Sequence, residues 1–252
     1  MFLSHWSLNA TLKGADSQGK LTVDVTDNNG KPVAGATETI EVKGQHTDPS
    51  NPDIQILETN YGTLTLNTAT GEYMFSLNPE TAQHMAEGEK FVFNFTVTAT
   101  DSHGAQGHHE IGVTISGTND KPTLTLENGQ LEASNSPDDI VTGEAHGKDA
   151  DRGAELKYSL VDENDKQENL VQGKYGTFEI GADGKYKYTL NPESEAYKAL
   201  GEEGGSEKFT IRVTDEHGAY SEQTVTVEVK PDSGLPPVIT ENLGVNESGL
   251  NN

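Results

Sequence analysis

Acidic and amide side chains gather in three short segments of this sequence. Asn119 and Asp120 are adjacent, Asp149 and Asp151 form an Asp-x-Asp pair, and Asp215 opens a Gly-containing turn. Carboxylate and amide oxygens, about six to eight around one ion and with no need for His or Cys, are the ligands that Ca²⁺ requires. If the three segments meet in the fold, they predict a calcium site.

The same residues have a second interpretation, in which each serves only its own turn. Asp, Asn and Gly are ordinary turn residues because Asx side chains accept hydrogen bonds from nearby backbone N–H groups. Two arguments favour the cation site. All three segments are expected at one end of a domain, and acidic residues outnumber basic ones. Asp and Glu number 41 against 17 Lys and Arg, a formal net charge of −24, so carboxylates that no cation neutralised would repel one another.

An internal duplication orders the chain. Tyr61-Gly62-Thr63 recurs as Tyr175-Gly176-Thr177, and Asp101 recurs as Asp215, both with an offset of 114 residues (175 − 61 and 215 − 101). A constant offset of this length predicts two self-sufficient domains rather than short solenoid units. We assign residues 1–118 to a first, atypical copy and 119–232 to a second, with 233–252 beginning a following repeat or linker. The duplication adds Asp101 to the candidate metal ligands, because it corresponds to Asp215. Asp232 is a further candidate, since it lies in the second linker, residues 230–236.

Alternating apolar residues predict the elements that must position these side chains. Phe91, Phe93 and Phe95 would share one face of a strand whose partner contains Ile111 and Val113. Several short strands per copy predict an all-β fold of two tandem antiparallel β-sandwich domains of the cadherin or immunoglobulin kind. Because Asn119 and Asp120 lie between the copies, we expect a short calcium-binding linker to join them. Two short helices are expected, over residues 79–86 and 192–200, because Asn-Pro-Glu suits a helix start. In such a sandwich, the linker and two loops reach the same end.

The N-terminal region has two interpretations. Residues 20–43 resemble the last hairpin of the second copy, so they are either the tail of a preceding repeat or the early strands of the first domain. The offset of 114 favours the early strands, since it leaves no room for a tail. Trp6 is expected to plug an open end of the first sandwich, or to contact a ligand.

Composition and motifs weigh against several classes of function. The negative charge is unfavourable for nucleic acid or an anionic membrane, and no apolar stretch is long enough to span a bilayer. The chain has no cysteine, so no disulfide scaffold supports it. It has neither a nucleophile elbow nor a phosphate-binding loop, so we expect no enzyme. We interpret His108 and His109 as solvated turn residues, because neighbours on a strand point to opposite faces and cannot chelate together.

Several motifs together resemble one known family. The motifs that carry the resemblance are Lys-Asp-Ala-Asp (148–151), Tyr-Gly-Thr, Leu-Asn-Pro, Val-Thr-Asp-x-His-Gly and Ser-Gly-Thr-Asn-Asp-Lys-Pro (116–122). In these motifs the chain resembles the cadherin-like VCBS repeats of giant bacterial RTX adhesins. The resemblance covers most of the second copy and the first from about Asn60. It implies a secreted, type I-exported chain at the bacterial surface, in which Ca²⁺ stiffens the joins between repeats. The implied ligands are Asn119, Asp120, Asp149, Asp151 and Asp215.

The sequence therefore predicts a monomeric, calcium-stabilised module of a surface adhesin that acts as a rigid extender or as the base of a ligand-binding region. Its expected partners are calcium ions, neighbouring repeats and a host or bacterial surface glycan or protein. Two alternatives stay open. One is a glycan- or peptide-binding module that uses the first copy, and the other is an accessory module of a secreted polysaccharide-degrading enzyme.

Overall fold

The computed structural model describes residues 7–134, 140–162 and 164–231, and nearly all regular structure in them is β-strand. The strands before the linker are β1 (Ser7–Leu12), β2 (Lys20–Thr26), β3 (Pro32–Asp48), β4 (Asn51–Thr59), β5 (Gly62–Asn67), β6 (Tyr73–Leu77), β7 (Lys90–Thr100) and β8 (Gln106–Ser116). Those after it are β9 (Thr123–Glu127), β10 (Gln130–Ala133), β11 (Ile140–Lys148), β12 (Lys157–Val161), β13 (Gln167–Glu168), β14 (Leu170–Gln172), β15 (Gly176–Ile180), β16 (Lys185–Leu190), β17 (Gly205–Thr214) and β18 (Tyr220–Val229). The predicted all-β class is confirmed.

The chain divides into two compact units. The first unit comprises the described residues of Met1–Leu124, Gly147–Lys157 and Val213–Ser221. The second comprises those of Thr125–His146, Tyr158–Arg212 and Glu222–Asn252. The first unit thus contains the segment around Asn119 together with two loops that lie much later in the sequence. The predicted domain boundary between residues 118 and 119 stays a prediction.

The first unit is built on a sheet in the order β1-β7-β2-β3-β4-β5-β6, with β8 also paired to β7. The 17-residue strand β3 connects its two parts. It pairs with β2 up to Glu41 and with β4 from Val42 onward, and the register shifts between Val42 and Gly44. Such an irregularity bends a strand, which lets one strand contribute to both layers of a sandwich.

Alternation along β7 builds the core of the first unit. Phe91, Phe93 and Phe95 are at most 2% exposed, whereas Val92 between them is 51% exposed. The ring of Phe75 on β6 lies 5.8 Å from that of Phe93, so the far end of the sheet packs over β7. Burying each of these rings contributes roughly 1.5–3 kcal/mol. The predicted pairing of β7 with β8 is confirmed, with Phe93 opposite Val113.

Two five-stranded sheets supply most of the second unit. One has the order β14-β15-β16-β11-β9 and the other β10-β18-β17-β12-β13. Phe178 on β15 stacks on Phe209 on β17 at a centroid distance of 4.6 Å, and Tyr188 lies 5.9 Å from the same ring. The aromatic side chains of one sheet therefore pack on the other, as in a β-sandwich. Parallel pairing of β10 with β18 matches Leu131 with Val227.

The helices are shorter than predicted. The described helices are α1 (Pro79–Ala82) and α2 (Glu195–Lys198). Asn78 caps α1 by accepting a hydrogen bond from the N–H of Glu80, as the Asn-Pro-Glu pattern predicts. The second helix begins later than predicted, because the cap is the Ser194 hydroxyl rather than Asn191.

The structure also settles two smaller predictions. The hairpin of β2 and β3 pairs with β7 through Thr26 and Lys90, so residues 20–43 belong to the first unit and are not a leftover tail. His108 and His109 are not turn residues: they lie exposed within β8. Trp6 and the predicted following repeat, 233–252, lie outside the described residues. Within the described ranges, no helix has the length and apolar character needed to cross a membrane.

Candidate metal centre

The linker between β8 and β9 is hydrogen-bonded to both acidic loops. The Nδ2 of Asn119 donates to Oδ2 of Asp215 at 2.9 Å, and the backbone N–H of Asp120 donates to Oδ2 of Asp151 at 2.8 Å. All of these residues belong to the first unit. The convergence of three acidic segments that the sequence predicts is therefore present.

The Asp-x-Asp loop presents two carboxylate oxygens that accept no hydrogen bond from the part of the chain that the structure describes. The N–H of Asp151 donates to Oδ1 of Asp149 at 2.9 Å, which closes the loop on itself. Among the described residues, Oδ2 of Asp149 and Oδ1 of Asp151 are buried and accept no hydrogen bond. Asp151 is only 7% exposed. A buried acceptor without a partner costs about 1–3 kcal/mol, and more when it is charged, so these two oxygens require an explanation.

Asp215 is the best-satisfied acid of the group. It follows β17, and its Oδ1 accepts the N–H groups of His217 and Ala219, each at 2.9 Å. Burial opposes its ionisation, but the hydrogen bonds from Asn119 and from the turn amides outweigh that effect and lower the pKa of Asp215. Asp215 is thus held as an anion at the point where linker and turn meet.

Asp151 behaves in the opposite way. Burial, followed by the negative charges of Asp149, Asp120 and Glu216, raises its pKa, and the N–H of Asp120 offsets this only in part. A carboxylate whose charged form is disfavoured by its neighbours is one that a bound cation would relieve. The donor atoms of this group are all oxygens, and two of them are buried and unused among the described residues, so the group fits a hard divalent ion.

Asp101 does not join this group. The Oδ1 of Asp101 accepts the N–H groups of His103 and Ala105, at 2.8 and 2.9 Å. Within the described part of the chain, its carboxylate accepts hydrogen bonds only from its own turn, so the second interpretation of the acids fits Asp101. Asp232 lies outside the described residues.

A second cluster was not predicted. Glu127, Glu144 and His146 are the one group of three acidic or His side chains, within the described ranges, whose ligand atoms all lie within 4.8 Å of one another. The linker carboxylates do not meet that spacing. His146 lies 3.7 Å from Glu127 and 4.0 Å from Glu144, and all three side chains are substantially exposed to solvent. The signal in the sequence is Glu-x-His on one face of β11, but the contribution of β9 requires knowledge of the pairing.

These sheets, with an acid-lined join before β9, have the architecture of a cadherin-like β-sandwich, a class typical of extracellular and adhesive modules and typically without catalysis. Residues 119–231 match the family described as "Bacterial cadherin-like domain". None of the curated proteins matches the chain.

Two solved structures illustrate the likeness. The chain is similar to protocadherin gamma B2 extracellular cadherin domains 3-6, with 14% sequence identity and a TM-score of 0.40, over 77% of this chain and 41% of that one. It is similar to human CDH23 EC21-23, with 17% identity and a TM-score of 0.37, over 89% of this chain and 58% of that one. The chain thus spans 41% and 58% of the lengths of these structures. Likenesses at this level do not assign a function.

Proposed function

We propose that this chain is a calcium-stabilised tandem module of a bacterial surface adhesin of the VCBS and RTX type, which serves as a rigid extender or as the base of a ligand-binding region. The family match over residues 119–231 supports an adhesive or extracellular module. The similarity of the repeated motifs to VCBS repeats supports the more specific assignment.

One observation carries the calcium part of the proposal. The linker is bonded through Asn119 to Asp215 and through Asp120 to Asp151, while buried oxygens of Asp149 and Asp151 accept no hydrogen bond among the described residues. Residues that join two repeats are thus gathered around acceptors that a cation would satisfy. Asn119, Asp120, Asp149, Asp151 and Asp215 would hold the ion.

The mechanism is mechanical rather than chemical. A bound Ca²⁺ would supply positive charge, which would offset the burial and the neighbouring negative charges that raise the pKa of Asp151. The protein contributes the placement of the donors. Asp215 is held ionised by its turn, and Asn119 ties the linker to it. If these donors held an ion, the linker around Asn119 and Asp120 would lose conformational freedom, so a chain of such repeats would resist bending.

Small-angle X-ray scattering with calcium and with chelator tests this proposal. We expect the maximum dimension to be well defined in calcium and the ensemble to broaden in chelator, because the carboxylates then repel one another. Calorimetric titration on the same samples would measure calcium binding directly. Unchanged scattering together with an absence of calcium binding would contradict the proposal.

The duplication offers a matched control. Asp215→Asn removes one acid from the linker group, whereas Asp101→Asn makes the same change in the corresponding turn of the first copy. Only the first substitution is expected to weaken calcium binding, by about ten-fold or more, since it changes a ligand.

A further inference from the structure

Another charged cluster, distinct from Glu127, Glu144 and His146, adjoins the Asp149–Asp151 loop and includes no predicted metal ligand. We call it the Arg152 cluster; it consists of Glu38, Tyr61, His84, Glu89 and Arg152, all in the first unit. Its centre is the buried carboxylate of Glu38, which accepts hydrogen bonds from the Tyr61 hydroxyl and from Nη2 of Arg152. The Nε2 of His84 lies 2.8 Å from the same carboxylate.

Arg152 is fixed at three points. Besides its contact with Glu38, its Nη1 donates to Oε2 of Glu89 at 3.2 Å, and its backbone N–H donates to the carbonyl oxygen of His84 at 3.0 Å. Glu89 is only 8% exposed. A planar guanidinium that engages two carboxylates at once is the geometry in which Arg differs most from Lys.

The buried acids require this cation. Burial works against ionisation of Glu38, but the hydrogen bonds from Tyr61, His84 and Arg152 outweigh it and lower the pKa of Glu38. Two buried carboxylates without a cation would be strongly unfavourable. Because Arg152 follows Asp151 directly in the chain, anchoring its side chain also anchors the Asp-x-Asp loop.

We propose that Arg152 is a positioning residue. Its guanidinium holds the Asp149–Asp151 loop in place through its contacts with Glu38 and Glu89, before any divalent ion binds. This inference rests on the proposed function, for which the loop supplies ligands. Two cations would then act at the linker: the guanidinium of Arg152, which is a permanent part of the chain, and a Ca²⁺ ion, which exchanges with solvent.

Charge alone gives the opposite expectation. A positive group close to a cation site repels the incoming ion, so its removal would tighten binding. Arg152 is engaged by two carboxylates, however, and the three groups together carry a net negative charge. We expect removal of Arg152 to displace the loop and so to weaken calcium binding, whereas relief of repulsion alone would tighten it.

The test compares Arg152→Gln and Arg152→Lys with Lys121→Gln. Lys121→Gln removes a positive charge within the linker, where Nζ of Lys121 lies 5.9 Å from the ring centroid of Tyr220, and leaves the Arg152 cluster intact. In chelator, amide hydrogen exchange of residues 149–153 should become faster in Arg152→Gln and stay unchanged in Lys121→Gln. Calcium affinity should fall about 10- to 100-fold in Arg152→Gln, as for other residues that support metal ligands.

Arg152→Lys keeps the positive charge but loses the planar guanidinium that contacts two carboxylates at once. We therefore expect intermediate rates of amide exchange and an intermediate calcium affinity. If Arg152→Gln does not fold, as judged by circular dichroism, the comparison of Arg152→Lys with Lys121→Gln decides. Unchanged exchange of residues 149–153, or tighter calcium binding, in the Arg152 variants would overturn the inference. A wild-type chain that binds no calcium would refute the proposed function instead. Amide hydrogen exchange in chelator would still test whether Arg152 holds the loop in place.

Discussion

Asp215 and Asp151 both contact the linker, but their pKa values are shifted in opposite directions because their hydrogen-bond partners and neighbouring charges differ. Asp215 receives Asn119 and the amides of its own turn, and its pKa is lowered. Asp151 is buried among other carboxylates and receives one N–H, and its pKa is raised. The protein therefore satisfies the first acid, whereas the second is the one that a bound cation would relieve under the proposed function.

Asp151→Asn is expected to change stability in opposite directions with and without calcium. Because the folded-state pKa of Asp151 is above its ordinary value of 3.8, ionisation destabilises the folded state as pH rises through that range. In chelator at neutral pH, the neutral variant should be more stable, by about 1 kcal/mol or less once solvent screening is considered. In calcium it should be less stable, since a ligand charge is lost.

Urea unfolding at pH 7 in calcium and in chelator measures both signs, and Asp101→Asn is the control for loss of a turn acid. The gain in chelator should disappear as pH falls to the ordinary range of Asp, where wild-type Asp151 is also protonated. A loss of stability in both conditions would show that Asp151 is only a structural turn residue.

At this scale, the sequence identified the acids but not their support. Asp and Asn at domain-end positions carry a local signal, so the convergence of Asn119, Asp151 and Asp215 could be predicted. The contact of Arg152 with Glu38 could not, because it joins residues 114 positions apart and either side chain alone reads as a solvated surface charge. Asp101 shows the converse, since its signal matches that of Asp215 but no linker residue reaches it among the described residues.

At the scale of elements, the repeated Tyr-Gly-Thr motif has a packing explanation. Tyr61 and Tyr175 are 2% and 5% exposed. A Cβ atom on Gly62 would lie 2.2 Å from the carbonyl oxygen of Ser76, and one on Gly176 would lie 2.4 Å from that of Thr189. The motif marks the same close approach of two strands in each copy, so its recurrence reflects the fold rather than a binding site.

Gly176→Ala should therefore destabilise the second unit by about 1–3 kcal/mol, because the added methyl group meets backbone and the buried ring of Tyr188, neither of which moves freely. Gly201→Ala is the matched control, since a Cβ there has no atom within 4 Å. Thermal unfolding of both variants measures the difference. Equal stability of the two would show that the strands separate easily at this point.

Element types were more predictable than element lengths. The alternation of Phe91, Phe93 and Phe95 specifies a strand with one buried face, because only period two places them together. The helices were predicted too long, since a Pro-initiated start and a few polar residues do not show where a four-residue turn ends. The sheet-crossing path of β3 was also not predicted, because its bend depends on pairing with two different strands.

For the whole molecule, the excess of 41 acidic over 17 basic residues makes stability depend on ions in two ways. Monovalent salt screens the general repulsion over a Debye length of about 10 Å at 0.1 M, whereas calcium would act at one group of ligands. At an ion concentration about 100 times its Kd, specific binding adds about 2.7 kcal/mol.

We therefore expect calcium to raise the melting temperature by roughly 5–10 °C over chelator at constant ionic strength, using about 2–4 °C per kcal/mol for a chain of this size. Magnesium at the same ionic strength should give a smaller increase, because it demands a stricter octahedron and loses water reluctantly. Differential scanning calorimetry makes the comparison. Equal effects of the two ions would indicate screening alone.

The parallel pairing of β10 with β18 has a consequence for a chain under tension. These strands lie near the two ends of the second copy, and Gln130 through Ala133 run alongside Thr226 through Val229 in the same direction. A pull applied at opposite ends of this copy would drag the two strands past each other, so their hydrogen bonds would be loaded together in shear instead of opening one by one. Forced unfolding is governed by the barrier to the first rupture, and this small ladder would set the load that the repeat withstands.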